Sequence, residues 1–256
     1  MVVDRVKEED IVIFAGGISP SLEGEEMYSV NSPVFAGGDR TSIELPQVQR
    51  DILKALKKAG KKVVFVNCSG SAVALVPEME SCDAILQAWY PGQAGGLAVA
   101  DVLFGDFNPS GKLPVTFYKN TDQLPDFEDY SMKNRTYRYM TEVPLFPFGY
   151  GLSYTTFDIS KGRLNKKTIS AGQDLNFKVN VKNTGKYDGA EVIQVYVRKV
   201  DDAEGPIKSL RAFRRVPLKA GETCVVSIDL LPTTFELFDP TTNTMRIMPG
   251  KYEIMY

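Results

Sequence analysis

Three glutamates stand close together in one short segment of the sequence. Glu23, Glu25 and Glu26 lie within residues 16–27, directly after the apolar run Ile11–Ala15, which is typical of a buried strand. Loops that follow such strands hold the ligands of open α/β sheets. Because like charges disfavour ionisation, this crowding raises the proton affinity of at least one carboxyl. A carboxyl that stays protonated near neutral pH can act as a general acid, although a merely solvated acidic loop explains the same residues.

Histidine is absent from the sequence, which removes several other kinds of catalytic and metal site. Ser-His-Asp triads, Cys-His pairs and histidine-containing zinc sites all need an imidazole. Gly16-Gly17 lacks the pattern of a phosphate-binding loop and is better explained by a tight turn. Ser69 and Ser71 are expected to cap or pack a strand-to-helix turn, since no GxSxG nucleophile pattern surrounds them. The sequence predicts neither a cofactor nor a metal.

The composition excludes a disordered protein and a polyanion-binding one. The 256 residues are 43% hydrophobic and 24% charged, with a net charge of -2. This balance provides no basic field for nucleic acid or an anionic membrane surface. The longest apolar runs fall far short of the roughly 18 residues that a membrane-spanning helix needs. Cys68, Cys82 and Cys224 have no CxxC spacing and are predicted to be small buried side chains.

The elements that must position the glutamates alternate between strands and helices. Val63–Asn67 and Ala84–Trp89 are further apolar runs that predict buried strands. Before them, apolar residues at three- and four-residue spacing predict a helix that opens at Leu45-Pro46 and stops at Gly60. Residues 95–104 are small and apolar enough for a helix packed tightly on a sheet. The alternation predicts a mostly parallel α/β sheet with crossover helices.

Residues 107–157 are rich in turn-forming and aromatic residues, and they predict a long connector wrapped on a surface. Exposed aromatic rings can serve as platforms for sugars, but most of these are expected to hold the connector to the sheet. Trp89 is the exception, because Pro91-Gly92 places it at a strand end, and it is predicted to bind substrate. The aromatic residues concerned are Trp89, Tyr90, Tyr118, Phe127, Tyr130, Tyr137 and Tyr139.

From about residue 160 the apolar residues recur with a period of two. Leu175–Val181, Ile193–Val197, Cys224–Leu230 and Tyr252–Tyr256 alternate in this way, with turn residues between them. Short strands without helices predict an antiparallel β-sandwich. Charge divides at the same place, because residues 1–157 carry 14 basic and 20 acidic side chains and the remainder carry 16 and 12.

Three stretches of the sequence resemble glycoside hydrolase family 3, which contains β-xylosidases and β-glucosidases. Residues 88–117, AWYPGQAGGLAVADVLFGDFNPSGKLPVTF, resemble the longest signature of its C-terminal half. Residues 148–157, FGYGLSYTTF, resemble its junction motif, and residues 183–197, NTGKYDGAEVIQVYV, its fibronectin-III-like module. The resemblance identifies residues 1–157 as the α/β sandwich domain, including the connector 107–157, and residues 158–256 as the fibronectin-III-like β-sandwich.

The resemblance implies a retaining hydrolysis of O-glycosyl bonds. In that family a barrel supplies an aspartate nucleophile, and the α/β sandwich supplies a glutamate acid/base on a loop after a strand. The Glu-x-Glu pattern of that loop matches Glu23-Gly24-Glu25, so the role passes to Glu25, with Glu23 and Glu26 as competitors. Many members follow the glutamate closely with an Asp-Arg pair, whereas here Asp39-Arg40 comes only after a longer segment.

The resemblance also implies that the barrel and the first strands of the sandwich are missing from this chain. The chain alone is then expected to be inactive, and its expected partners are a barrel in cis or in trans and an oligosaccharide or aryl β-glycoside substrate. Xylose, glucose and arabinose all stay open as the sugar, because the residues that choose it would lie mainly on the barrel.

A non-catalytic module that binds carbohydrate or another protein is the alternative. Binding to nucleic acid or a membrane is not expected. The first ten residues lack the features of a signal peptide, and localisation stays open, with a periplasmic or secreted parent expected.

Overall fold

The structure is a computed structural model, and it describes residues 2–23, 35–36 and 39–256. The described residues divide into two compact units. The first comprises those of Met1–Leu103, Val115–Asn134 and Glu142–Phe148, and the second Phe104–Pro114, Arg135–Thr141 and Gly149–Tyr256.

Helices and strands follow the predicted order, with the helices concentrated in the first half of the chain. The helices are α1 (Val2–Arg5), α2 (Pro20–Glu23), α3 (Gln47–Lys58), α4 (Val76–Ser81), α5 (Gly95–Phe104) and α6 (Thr136–Tyr139). The strands are β1 (Ile11–Gly17), β2 (Phe35–Ala36), β3 (Asp39–Arg40), β4 (Lys62–Cys68), β5 (Ala84–Gln87), β6 (Phe157–Ile159), β7 (Arg163–Leu164), β8 (Leu175–Asn183), β9 (Gly189–Lys199), β10 (Ser209–Leu218), β11 (Thr223–Leu230), β12 (Glu236–Asp239), β13 (Thr244–Ile247) and β14 (Tyr252–Met255).

The first unit is built around a parallel sheet with the strand order β1-β4-β5. Both pairings are parallel, with Gly17 opposite Cys68 at one end and Asn67 opposite Gln87 in the second pair. Helix α3 connects the first two strands and α4 the next two, as parallel pairing requires. The carboxyl ends of all three strands therefore lie at one edge of the sheet.

Helix α3 shows why the sequence folds locally as predicted. Leu53 and Leu56, spaced three residues apart on its apolar face, are fully buried in the core of this unit. The helix ends before Gly60, which adopts a φ of +77°. The Gly60 N–H donates to the Lys57 carbonyl and the Lys61 N–H to that of Leu56, so that a glycine in the left-handed region closes the helix.

Several predictions about the first unit are wrong in detail. The third strand ends at Gln87 rather than Trp89. Of the ten residues of α5, all of them described, only Gly95 is buried, so this helix is not packed tightly on a sheet. The aromatic side chains of Phe127 and Tyr130 are each 90% exposed, so these two are exceptions to the expectation that most of the aromatic residues hold the connector to the sheet.

The predicted burial of the cysteines is correct for one of them. Cys82 is buried, whereas Cys68 and Cys224 are half-buried, because each of these two lies near the end of a strand. No helix among the described residues is long and apolar enough to cross a membrane.

The second unit contains the predicted antiparallel β-sandwich. One sheet has the order β10-β9-β14 and the other β11-β8-β6, with β7 also paired to β8. Burial alternates strictly along β8, whose residues Leu175, Phe177, Val179 and Val181 enter the core. Facing residues of β9, such as Ile193 and Val195, complete that core, as is expected when two sheets pack by their apolar faces.

Candidate active site

The acidic segment leaves the sheet at a point that four hydrogen bonds define. The N–H of Gly17 donates to Gln49 Oε1 at 2.8 Å, and Gln49 Nε2 donates back to the Gly17 carbonyl at 2.7 Å. The next residue, Ile18, donates its N–H to the Cys68 carbonyl at 2.9 Å and accepts the Tyr90 hydroxyl at 2.8 Å. Strand β1 is thereby tied to α3, to β4 and to the residues after β5.

Gly17 is required at this point for steric reasons. Its φ is +123°, and a Cβ placed there would lie 2.0 Å from the Cys68 carbonyl oxygen. A neighbouring Cβ at Gly16 would meet Gln49 Oε1 at 2.4 Å. The two glycines therefore allow β1 and β4 to end in close contact. They are the last two residues of β1, so the predicted tight turn at this position is wrong.

A buried polar cluster occupies the adjacent strand ends. Asn67 is fully buried, and its Nδ2 donates to Gln87 Oε1 at 2.6 Å and to Ser69 Oγ at 3.3 Å. Ser69, also fully buried, accepts from Gln87 Nε2 and donates to the Ser71 carbonyl, so it packs the turn after β4 as predicted. Asn67 Oδ1 has no hydrogen-bond partner among the described residues.

Trp89 follows β5 at the same edge, and its backbone adopts a φ of +58°. That region is uncommon for a bulky residue, and such conformations persist where the surrounding structure determines them. The indole ring is half-buried and meets the buried Phe117 ring edge-on at a centroid distance of 6.0 Å. Phe117 in turn contacts the Phe146 ring at 6.3 Å. Trp89 therefore has a packing role whether or not it also contacts a substrate.

Asp39-Arg40, the pair noted in the sequence, forms β3. The guanidinium of Arg40 reaches the turn after β4, where its Nη1 donates to Ser71 Oγ at 2.9 Å, and its Nε donates to the Ser42 carbonyl at 3.2 Å. The backbone of residue 39 pairs with Ala36, but its side chain is outside the described part of the structure. Arg40 thus brings a positive charge to the loops at the carboxyl edge.

Of the three glutamates, one lies partly within the described structure. Glu23 is the last residue of α2, which begins three residues after β1, and its side chain is not described. Glu25 and Glu26 lie outside the described residues. Their assignment as acid/base or competitor therefore stays a prediction, as does substrate binding by Trp89.

Three acidic residues of the connector are the other carboxylates that a second catalytic role could use. Asp126, Glu128 and Asp129 are exposed. Asp126 accepts the N–H of Glu128, and Asp129 accepts that of Ser131, so both carboxylates stabilise local turns.

Glu44 is an ionised carboxylate beside this region that the sequence did not single out. Partial burial alone would raise its pKa, but hydroxyl donors from Ser42 and Thr121 and the Thr121 N–H outweigh that effect and lower the pKa to about 2. The Thr121 contacts measure 2.5 Å from the hydroxyl and 2.8 Å from the N–H. They join the segment before α3 to residue 121, which is 77 positions away in the sequence.

The arrangement fixes the point at which the chain leaves β1, beside polar and aromatic side chains. Sequence reasoning noted Arg40 but missed Gln49, Asn67 and Gln87 as supporting residues. The only local signal was a polar residue at the end of an otherwise apolar run, as at Asn67 and Gln87. Among the described residues no group of three or more His, Cys, Asp or Glu side chains could hold a metal ion.

Both the fold and this edge define a class of protein. A parallel α/β unit, whose strand ends carry loops of the kind that bind ligands, precedes a two-sheet β-sandwich. Two family models match these two parts in the same order. Residues 1–154 match the glycosyl hydrolase family 3 C-terminal domain, and residues 191–256 match the fibronectin type III-like domain.

Individual relatives carry the same pair of regions. The chain is 61% identical over 99% of its length to a xylan 1,4-beta-xylosidase of Xylanibacter ruminicola, of which it covers 29%. It is 39% identical over 98% of its length to a periplasmic beta-glucosidase of Salmonella typhimurium, of which it covers 33%. A solved β-glucosidase structure from Erythrobacter marinus superimposes with a TM-score of 0.85 at 36% identity, over 99% of this chain and 33% of that one.

The chain belongs to glycosyl hydrolase family 3, and it carries that family's C-terminal α/β domain followed by the fibronectin type III-like domain. It spans about a third of the length of these relatives. The predicted fold class and family are confirmed, while the division between residues 157 and 158 stays a prediction.

Proposed function

We propose that this chain supplies the acid/base part of a retaining β-glycosidase, with Glu25 as the acid/base and Glu23 and Glu26 as its competitors. The observation that carries the proposal is that Gln49, Cys68 and Tyr90 hold the backbone at the carboxyl end of β1, and the acidic residues follow this strand in the sequence. The relatives named as glycosidases match this chain over nearly its whole length, including that segment.

In this mechanism one carboxyl group acts first as a general acid and then as a general base. In the first step the protonated acid donates its proton to the glycosidic oxygen as the bond to the sugar breaks, while an aspartate on another domain attacks the anomeric carbon. In the second step the resulting carboxylate accepts a proton from water, which displaces that aspartate and releases the sugar. The nucleophile comes from outside this chain in the proposal, so the 256 residues alone are inactive.

Exposed apolar side chains in the first unit support the need for further polypeptide. In β1, at the edge of the sheet, Ile11 is 58% and Ile13 50% exposed, and Leu97 of α5 is 66% exposed. Parallel sheets are normally covered on both faces, and their strands are correspondingly apolar. A barrel-containing segment, in the same chain or in a separate one, is the partner that the proposal requires to cover these residues.

β-Xylosides are the proposed first substrates. The xylosidase relative is 61% identical to this chain and the glucosidase relative 39%, so the loops that border the substrate are expected to follow the xylosidase. Trp89 contributes an aromatic surface beside the sugar in this proposal. A periplasmic or secreted parent is consistent with the relative from Salmonella typhimurium, which is named as periplasmic.

Hydrolysis of aryl β-xylosides and β-glucosides tests the proposal. The 256-residue chain would be assayed alone and together with the barrel-containing polypeptide, and each form would be compared with its Glu25→Gln variant. We expect turnover only when the barrel is present, and a loss of about 10²–10⁴-fold on Glu25→Gln with substrates whose leaving group needs a proton. A 2,4-dinitrophenyl glycoside, whose leaving group needs none, should react at nearly the wild-type rate in the glycosylation step.

Glu23→Gln and Glu26→Gln are the matched controls, since each removes one carboxylate from the same segment. A loss confined to one of them would transfer the acid/base role to that residue. Unchanged turnover in all three variants would overturn the acid/base proposal. Activity of the 256 residues alone would overturn the missing-nucleophile argument and direct the search to Asp39, Asp126, Glu128 and Asp129.

Trp89 can be tested separately in the same assay. Trp89→Phe retains an aromatic ring against Phe117, whereas Trp89→Ala removes it. A raised KM in both variants at unchanged thermal stability supports contact with the sugar, and a loss of stability at unchanged KM shows packing alone.

A further inference from the structure

The β-sandwich of the second unit carries a groove on its outer surface. The cavity has a volume of about 320 Å³, near the lower end for ligand pockets in proteins. It lies along β7 and β8 and extends to β11, the strand paired with the other side of β8. Its lining comes from residues within 160–165, residues within 176–180 and Val225.

The charge of this groove is of one sign. Arg163 and Lys178 are directly opposite each other in the β7–β8 pairing, where like charges destabilise a sheet. Lys161 adds a third cation two residues before Arg163. None of the three forms an ion pair with a described residue, and no carboxylate is among the described residues that line the groove.

One carboxylate borders the groove through a residue of its lining. Asp229 accepts a hydrogen bond from Asn176 Nδ2 at 2.6 Å and lies opposite Asn176 in the β8–β11 pairing. Asn176 is two residues from Lys178 on β8, so this carboxylate lies diagonal to Lys178, and the three cations leave the groove with a net positive charge.

Hydrogen bonds hold the amide and hydroxyl groups of the groove in place. Asn165 Oδ1 accepts the Asn176 N–H at 2.9 Å, and Ser160 Oγ accepts the Asn180 N–H at 2.9 Å. The Tyr256 hydroxyl accepts the Gly162 N–H at 2.6 Å and donates to the Ser160 carbonyl at 3.2 Å, which fixes the turn that bears Lys161. A ligand would meet groups that are already oriented, which lowers the entropy lost on binding.

An apolar surface borders the charged part of the groove. Val225 of β11, which is opposite Asn180, is 67% exposed although it lies within a strand. A sugar ring combines an apolar CH face with hydroxyl groups, so exposed aliphatic carbon beside amides suits it, and the cations suit a carboxylate attached to it.

We infer that this groove binds an oligosaccharide that bears carboxylate groups, with Lys161, Arg163 and Lys178 facing the carboxylate. The inference deepens the proposed function by naming a class of substrate, and it rests on that proposal only for the choice of sugar backbone. The groove lies wholly on the second unit, so binding there does not depend on Glu25 or on a barrel.

Titration of the 256-residue chain, followed by amide chemical shifts, tests the inference. The probe is a xylo-oligosaccharide with one glucuronic acid branch, and the comparisons are the unbranched oligosaccharide of equal length and sodium sulfate. We expect the acidic probe to shift residues 160–165, 176–180 and 225, and to bind more weakly at high salt. The neutral probe should bind at least about fivefold more weakly.

A double variant and a matched control separate charge from folding. Arg163→Gln with Lys178→Gln should weaken binding of the acidic probe by roughly five- to thirtyfold, whereas Arg198→Gln with Lys186→Gln removes two exposed charges elsewhere on the same unit and should leave it unchanged. The single variant Lys161→Gln gives an independent measurement if the double variant is poorly folded.

Three outcomes would overturn the inference. The first is equal affinity for the neutral and acidic probes, and the second is equal affinity for sulfate and the acidic probe, which would show an anion site without sugar recognition. The third is the absence of shifts at the groove with every probe. None of these measurements depends on glycosidase activity. Failure of the inference can therefore be distinguished from failure of the proposed function.

Discussion

The two units of this chain differ in how completely they bury their own apolar surface. In the β-sandwich, burial alternates along β8, and the core residues of both sheets face one another. In the α/β unit the core is equally well buried around Leu53 and Phe65, but Ile11 and Ile13 of β1 are exposed. The sandwich completes its core from its own strands, whereas the parallel sheet still presents apolar side chains.

The difference reflects how each kind of sheet is built. Antiparallel sheets pair through short turns and need cover on one face only, so a sandwich is complete in about a hundred residues. A parallel sheet needs crossover helices and cover on both faces, and its strand ends gather the loops that hold ligands. The same unit therefore carries both the candidate active site and the uncovered strand.

A cavity in the α/β core is expected to lower the free energy of unfolding more than any other change considered. Phe65→Ala removes a fully buried ring and should cost about 3–5 kcal/mol of unfolding free energy, with amides of β1 and β4 losing hydrogen-exchange protection first. Val195→Ala, at an equally buried position of the sandwich, is the counterpart and should affect β8 and β9 instead. Simultaneous loss of protection in both units for either variant would show that they unfold together.

Gly17→Ala tests the edge of the sheet where the acidic segment begins. The new Cβ would clash with the Cys68 carbonyl at a φ of +123°, so we expect a loss of about 2–3 kcal/mol in thermal or denaturant unfolding. In the complex with the barrel, turnover should also fall, because a misplacement of about 1 Å can cost on the order of 10²-fold in rate.

Gly60→Ala is the control for Gly17→Ala, because Gly60 also has a positive φ but nothing lies within 4 Å of its added Cβ. It should cost only about 1 kcal/mol from the backbone conformation and leave turnover unchanged. Equal effects of the two substitutions would show that the contact between β1 and β4 does not position the segment.

Acid should weaken the α/β unit through Glu44. Because the folded-state pKa of Glu44 is lowered to about 2 from an ordinary value of 4.5, its stabilising contribution is complete above pH 4.5 and is lost as the pH falls towards 2. After allowance for solvent screening, the contribution is on the order of 1 kcal/mol.

Denaturant unfolding of the wild type and Glu44→Gln between pH 2 and pH 6 measures this contribution. The difference in stability between the two should shrink as the pH falls. Glu80→Gln, which removes an exposed carboxylate from α4, is the matched control. A constant difference between wild type and Glu44→Gln would contradict the low pKa.

The smallest change in stability is expected from a substitution on the outer face of the sandwich. Lys178→Gln removes one member of the Arg163–Lys178 pair and should raise the stability of this unit by about 0.2–1 kcal/mol at low salt. Lys186→Gln, at an exposed position between β8 and β9, should leave stability nearly unchanged. A lower stability of Lys178→Gln at low salt would show that a partner neutralises this charge.

The sequence was most informative where a side chain's environment follows from its position in one element. Helix α3 was predicted from Leu45-Pro46 to Gly60 and spans Gln47–Lys58, and the alternation of Leu175–Val181 lies within β8. The prediction for the third strand extended two residues too far. Trp89 is apolar like the residues of the strand before it, but it has a positive φ and lies after the strand has ended.

The supporting residues of the candidate site could not be predicted in this way. Gln49 contacts Gly17 across 32 positions, and Arg40 contacts Ser71 across 31. Neither partner carries a local pattern that signals the other, because these contacts arise only when α3 and the turn after β4 pack beside β1.

The sequence by itself determined the order of elements, the two kinds of sheet and the family, since periodicity and signature residues are local properties of the chain. Only the tertiary structure decided which strand ends meet, that Asn67 and Gln87 form a buried pair, and that Arg163 and Lys178 lie opposite each other. The physical reason is that hydrogen bonds and charge pairs depend on distances in space, which folding sets between residues far apart in the sequence.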